Sequence, residues 1–220
     1  MKMKGDTMQY LFDFDGTLVD SMGVFGGAML NILDEYNIPY GEDVLKIITP
    51  LGYGGTADYF LSLGIEATKE ELMAQMMNEM RDAYLHRITA KEGVTETLRA
   101  LHARGDSLNI LTASPHEVLD PCLKRNGIYH LFEHVWSCDD FFTTKANPEI
   151  YRMAAEKMGV TVAEVIFLDD NVNACKTALS AGMRVVGVYD ESSADMAEEM
   201  MRVTHGYVRD LTALLGMNSN

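Results

Sequence analysis

Basic residues are scarce in this chain: 18 lysines and arginines face 33 aspartates and glutamates, a formal net charge of −15. Nucleic-acid binding depends on Lys and Arg neutralising phosphates, so a surface this acidic argues against a DNA or RNA partner. It also repels small anions at long range, and any phosphate site must be compensated locally by a metal, a lysine and backbone N–H groups. No Lys or Arg lies between Lys4 and Lys46, and residues 47–68 hold no Lys, Arg or His. Cysteine is sparse too. Cys122, Cys138 and Cys175 form no C-x-x-C pair and no Cys/His cluster at zinc spacing, so buried thiols are expected rather than a redox or zinc site. No run approaches the ~18 apolar residues of a membrane span. The polar opening of residues 1–7 lacks the apolar stretch of a signal peptide. The expectation is a cytoplasmic protein with no membrane partner.

What remains is an ordinary globular composition, 47% apolar and 23% charged, in 220 residues. That length suits a core carrying one inserted subdomain. Strand-length apolar runs recur at residues 10–14, 108–111, 135–136, 165–168 and 185–188, separated by helical patterns. Runs that are apolar throughout suit parallel strands buried on both faces, and the helices between them suit crossovers. The predicted fold is α/β, a doubly wound Rossmann-like parallel sheet. The long interval between the first two runs is mostly helical: Met22, Phe25, Met29, Ile32, Leu33 and Tyr36 form one apolar stripe, and Leu72, Met73, Met76, Met77, Met80, Ala83 and Tyr84 a second. A helical cap is therefore expected at residues 21–88, with hinges near 19–22 and 88–93. The α/β core is expected at 1–20 and 89–220. The tail after residue 194 reads as a helix, a short strand near 203–208 and a final helix over the sheet edge.

Four of the apolar or loop segments lead into chemistry-bearing residues. The first run delivers Asp13 and Asp15 into a glycine turn at Gly16, and two like charges that close repel unless a cation or a shared proton intervenes. The second ends in Thr112-Ala113-Ser114-Pro115-His116-Glu117, where Ser114 is placed to N-cap a helix, Pro115 to start it and Glu117 to close a capping box. Such a helix start favours a bound anion. Later come Lys145-Ala146-Asn147-Pro148-Glu149-Ile150-Tyr151, with Asn147 as the expected N-cap, and a run ending in Asp169-Asp170-Asn171.

Asp13-Phe-Asp15-Gly16-Thr17-Leu18-Val19-Asp20-Ser21 resembles the first motif of the haloacid dehalogenase-like hydrolases, subfamily I with a helical cap, which includes phosphoglycolate phosphatases and β-phosphoglucomutases. The other three segments resemble that family's later motifs, in the same order, down to Ala181-Gly182-Met183. Ala146 stands where the family has a proline. The resemblance implies a phosphatase that attacks a small phosphate monoester with Asp13, forming an aspartyl phosphate, with Asp15 as general acid and base. It implies Mg²⁺ held by the Asp13 side chain, the Asp15 carbonyl and Asp170, with Asp169 as a second or outer acid. Phosphate would be held by Gly16, Thr112, Ala113 and Lys145, the last bridging Asp13 and phosphate, while cap closure excludes water.

By the same resemblance, Asp15 argues against the dehalogenase branch, and Phe25 stands where phosphosugar mutases carry a cap histidine. A β-phosphoglucomutase-like mutase is the alternative, followed by a receiver-like phospho-signalling module and a non-catalytic binding protein. The cation-free stretch 47–68 favours a substrate with a single phosphate, with Tyr53 as a candidate contact. A monomer or homodimer is expected. Lone His116 and His134 read as structural, and Trp136 as core.

Overall fold

A computed structural model describes residues 7–48 and 51–216. The polar opening at 1–6, residues 49 and 50 of the cation-free stretch and the end of the tail at 217–220 lie outside them. The chain divides into two compact units, Met1–Asp20 with Thr89–Asn220, and Ser21–Ile88.

The larger unit is built on β1 (Gln9–Phe12), which leads by way of the smaller unit to the rest of the sheet. The helices of that smaller unit are α1 (Met22–Glu35), α2 (Val44–Ile48), α3 (Gly52–Ser62) and α4 (Lys69–His86). Then follow α5 (Val94–Arg104), β2 (Ser107–Thr112), α6 (His116–Arg125), β3 (His134–Ser137), α7 (Glu149–Met158), β4 (Val165–Asp169), α8 (Val172–Ala181), β5 (Arg184–Val188), α9 (Ala197–Val203) and β6 (Gly206–Val208). The strands form one sheet in the order β3-β2-β1-β4-β5-β6, every pairing parallel. The fold is thus a Rossmann-like α/β sheet with β1 at its centre.

The sheet is apolar on both faces because helices cover both. Leu11, Leu111, Phe167 and Val185 share one cluster with Tyr151 and Ala154 of α7, Cys175 and Ala178 of α8 and Met200 of α9. By the two-residue period of a strand, Tyr10, Phe12, Leu108 and Ile110 point the other way. They are fully buried, and α5 packs on β2. Buried polar groups on β2 are satisfied locally: Asn109 Nδ2 donates to the Tyr10 carbonyl and Ser107 Oγ, both at 3.1 Å, and its Oδ1 meets His134 Nδ1 at 2.8 Å. At Gly187 of β5 an added Cβ would lie 2.3 Å from Met200 Cγ, so glycine is what lets α9 dock. The tail differs from expectation in its last element, a 3-10 helix (Leu211–Gly216) that packs on α5 through buried Leu211 and Leu214. All three cysteines are buried. Among the described residues no helix is long and apolar enough to cross a membrane.

In the smaller unit the Met29–Ile32–Leu33 and Leu72–Met76–Met80–Ala83 faces are buried, but Met77 is 55% exposed. Thr68 caps α4 through a reciprocal box with Glu71. Lys69, the first residue of α4, pairs with Asp58 at 2.6 Å, and its Nζ lies 4.0 Å from a Cβ built at Gly54. The stretch that lacks cations in sequence therefore has one folded against it. The case against a second phosphate loses that support.

Candidate active site

The carboxyl ends of β1, β2 and β4 bring most of the sequence-predicted residues to one edge of the sheet, where open α/β sheets place their sites. Asp13 follows directly on β1, its N–H donating to the Leu168 carbonyl of β4 at 2.8 Å. The next residues turn tightly: Leu18 N–H and Val19 N–H both return to the Phe14 carbonyl, and Gly16 N–H donates to the Val19 carbonyl at 3.0 Å. Gly16 has φ +74°, and a Cβ there would lie 2.6 Å from Asp170 Oδ2. Only glycine meets both the left-handed backbone and that approach. The Gly16 N–H, expected to face a phosphate, is taken up here by the Val19 carbonyl.

Asp13, Asp169 and Asp170 each present a carboxylate oxygen within 4.8 Å of the others. Lys145 Nζ bridges two of them, donating to Asp13 Oδ1 and, at 2.9 Å, to Asp169 Oδ2. Tyr151 holds the lysine's backbone from below, its hydroxyl 3.2 Å from the Lys145 carbonyl and 3.1 Å from that of Ala174. The other Asp169 oxygen accepts the Asn171 N–H at 2.7 Å, so both Asp169 oxygens have partners within the protein. Asp170 is held at one oxygen by the Thr17 hydroxyl at 3.1 Å. Neither aspartate caps α8. Asn171 does, accepting from Asn173 and Ala174 N–H.

Electrostatics make this arrangement costly as it stands. Burial, with Asp169, Asp170 and Asp15 adding to it and Lys145 opposing, pushes the Asp13 carboxyl well above the usual carboxylate range. Burial and the charges of Asp169 and Asp190 push Asp170 up to about 7. Burial alone would pull the Lys145 ammonium down, but Asp13 and Asp169 more than reverse that and hold it charged. One ammonium against clustered acids leaves net negative charge, which a hard divalent cation bound by oxygen ligands would cancel. The donor set therefore fits such an ion.

Thr112 ends β2, buried, with its hydroxyl accepting the Ser114 N–H at 3.1 Å. Ser114 was expected to cap α6. It sits instead outside the helix, whose cap position falls on Pro115 without a side-chain cap bond. Its hydroxyl donates to Asp15 Oδ2 at 2.5 Å, a charge-assisted bond that ties this loop to the turn after β1. Asn147 likewise lies one residue further out than expected, yet still accepts the Glu149 N–H at 3.0 Å. Ala113 lies between Thr112 and Ser114 in the same loop. Tyr53 belongs to the smaller unit, where its ring stands 6.1 Å from that of Phe25.

Two contributors escaped the sequence. Ser114 read as a cap, and Lys91 was not singled out at all. The signal for Lys91 was Asp190: an acid just past β5, like Asp13 and Asp169 at their own strand ends, asks for a partner.

The fold and this edge define a hydrolase class. The chain belongs to the haloacid dehalogenase-like hydrolases, whose family model matches residues 10–188, and it is a phosphohydrolase. It is 32% identical over 181 residues to pyrophosphatase PpaX of Bacillus velezensis, covering 81% of each chain. It is 30% identical over 204 residues to phosphoglycolate phosphatase of Salmonella paratyphi A, covering 80% of this chain and 79% of that enzyme. The solved structure of a HAD family hydrolase from Deinococcus radiodurans, with phosphate and sodium bound, superposes with a TM-score of 0.78 at 24% identity over 96% of this chain and 94% of that one.

Proposed function

We propose that the protein is a Mg²⁺-dependent phosphatase of small phosphate monoesters that works through a phosphoryl group carried on Asp13. The observation that carries this reading is the convergence of Asp13, Lys145 and Asp170 at adjacent strand ends, with Asp15 tethered beside them by Ser114. The Asp13 side chain, the Asp15 carbonyl and Asp170 are the residues that would hold the ion, with Asp169 behind them. When bound, Mg²⁺ would offset the charge of the acids and of the phosphate.

Asp13 attacks phosphorus, the bond to the leaving oxygen breaks, and Asp15 gives that oxygen its proton. Asp15, now a carboxylate, takes a proton from water; the water oxygen bonds to phosphorus and the Asp13 carboxylate is released. Lys145 neutralises Asp13 before attack and the transferring oxygens during it, and the Thr112 hydroxyl and the Ala113 N–H donate to the same oxygens. Ser114 holds Asp15 in place, so the acid is oriented before substrate arrives.

The names of the relatives supply the first substrates to try, pyrophosphate and phosphoglycolate. The three buried thiols fit a reducing, cytoplasmic setting. The test is phosphate release from these two, sugar phosphates and nucleotides, with and without Mg²⁺. Release is expected from at least one substrate, to require Mg²⁺, and to fall by about 10³-fold or more in Asp13→Asn. A variant within tenfold of the parent would overturn the assignment.

A further inference from the structure

Besides Lys145, Lys91 extends its ammonium to the loops around the candidate site. Its Nζ donates to the Gly16 carbonyl at 2.6 Å, the Tyr189 carbonyl at 2.8 Å and Asp190 Oδ2 at 3.0 Å. An ammonium has three donors, so all are used. Asp190 is buried, and its other oxygen accepts Ser192 N–H and Oγ, which fixes the far end of the anchor.

What the anchor holds is a backbone that cannot hold itself. Gly16 must be glycine because Asp170 stands against it, and glycine leaves φ and ψ almost unrestrained. Two pins replace the missing Cβ. The Val19 carbonyl accepts the N–H of the Asp15–Gly16 peptide, which in a trans unit directs the Asp15 carbonyl to the opposite side. Lys91 takes the carbonyl of the next peptide, Gly16–Thr17. With both planes fixed, the Thr17 hydroxyl is delivered to Asp170 at 3.1 Å.

We propose that Lys91 is a positioning residue for the phosphatase reaction, holding the Gly16–Thr17 peptide so that the Asp15 carbonyl and the Asp170 carboxylate face one cation. This rests on the functional reading above. Groups that orient metal ligands from behind typically change metal affinity by about 10–100-fold when removed. Lys91 also borders an open cavity of about 230 Å³ shared with Thr17, Tyr189 and Arg209. Water can therefore reach the freed carbonyls, and loss of the ammonium does not strand them dry.

The test is Mg²⁺ binding by calorimetry without substrate, beside the Mg²⁺ concentration that half-activates the enzyme. Lys91→Met should weaken Mg²⁺ about tenfold or more and raise the activation midpoint by the same factor. Lys91→Arg, which can reach the same acceptors, should stay within about threefold of the parent. Should Lys91→Met not fold, Lys91→Gln is measured instead, since its shorter amide cannot span all three acceptors and the same weakening is expected. A folded Met or Gln variant that binds Mg²⁺ as tightly as the parent would overturn the inference and leave the functional reading standing. A parent that neither binds Mg²⁺ nor releases phosphate would sink the functional reading itself.

Discussion

Lys145 sits between Asp13 and Asp169 with only 15% of its side chain exposed, and the pair it bridges is more buried still. Removing one partner of a buried ionic group leaves the others uncompensated, at a cost of about 3–5 kcal/mol. Lys145→Met should lose about that much in urea denaturation without Mg²⁺, along with nearly all activity. A loss under about 1 kcal/mol would mean the acids are not held as described. His116 shows a milder case. Its two ring nitrogens meet Asp120 and Asp140, both at 2.8 Å, and both contacts can be donated only by the imidazolium. Hydrogen bonds it donates to Asp120 and then to Asp140 raise its pKa above the ordinary 6.5, against a smaller opposing effect of burial. A raised value in the folded state means stabilisation fully present below about 6.5 and lost as pH climbs through the raised value. His116→Gln should flatten that part of the stability–pH profile. The effect should be well under about 1 kcal/mol, because the ring is 42% exposed. An unchanged profile would remove His116 as its source.

At the scale of elements, the strands were legible because parallel strands buried on both faces need continuous apolar runs. The ends were less so. Phe14 belongs to the first apolar run and is buried, but the chain leaves the ladder after Phe12 because Asp13 must turn toward the site. The expected caps Ser114 and Asn147 each lie one residue before the cap position, which falls on the proline that follows. Met77 reads as part of a buried stripe yet faces out, since seven apolar residues exceed the single face that α4 buries. The fit of α9 on β5 depends on Gly187, which no periodicity marks. Gly187→Ala should cost about 1–3 kcal/mol by overpacking against Met200, read as a lower urea midpoint at unchanged slope. A neutral result would mean that Met200 simply swings aside.

For the whole molecule, composition spoke to charge and class, and motif order to the active edge. It could not show contacts made by residues with no motif around them. Lys91 and Asp190 lie far apart in sequence and meet only in the fold, where the segment before α5 reaches the end of β5. Lys69 folds back on a stretch that looked free of cations. The net charge of −15 has its own consequence. An anionic substrate approaches against a repulsive field that salt screens, the screening length falling from about 30 Å at 0.01 M to about 8 Å at 0.15 M. At fixed Mg²⁺, kcat/KM should therefore rise over that range before levelling, whereas a steady fall would indicate a local attractive field that outweighs the surface.

The most direct measurement is to mix the enzyme with a turned-over substrate and Mg²⁺, quench in acid within a turnover, and map the modified peptide by mass spectrometry. Asp13 should carry one phosphoryl group, and it should accumulate further in Asp15→Asn, where no base remains to activate water. Turnover that proceeds with Asp13 never phosphorylated, or with the group on another residue, would contradict the account at its centre.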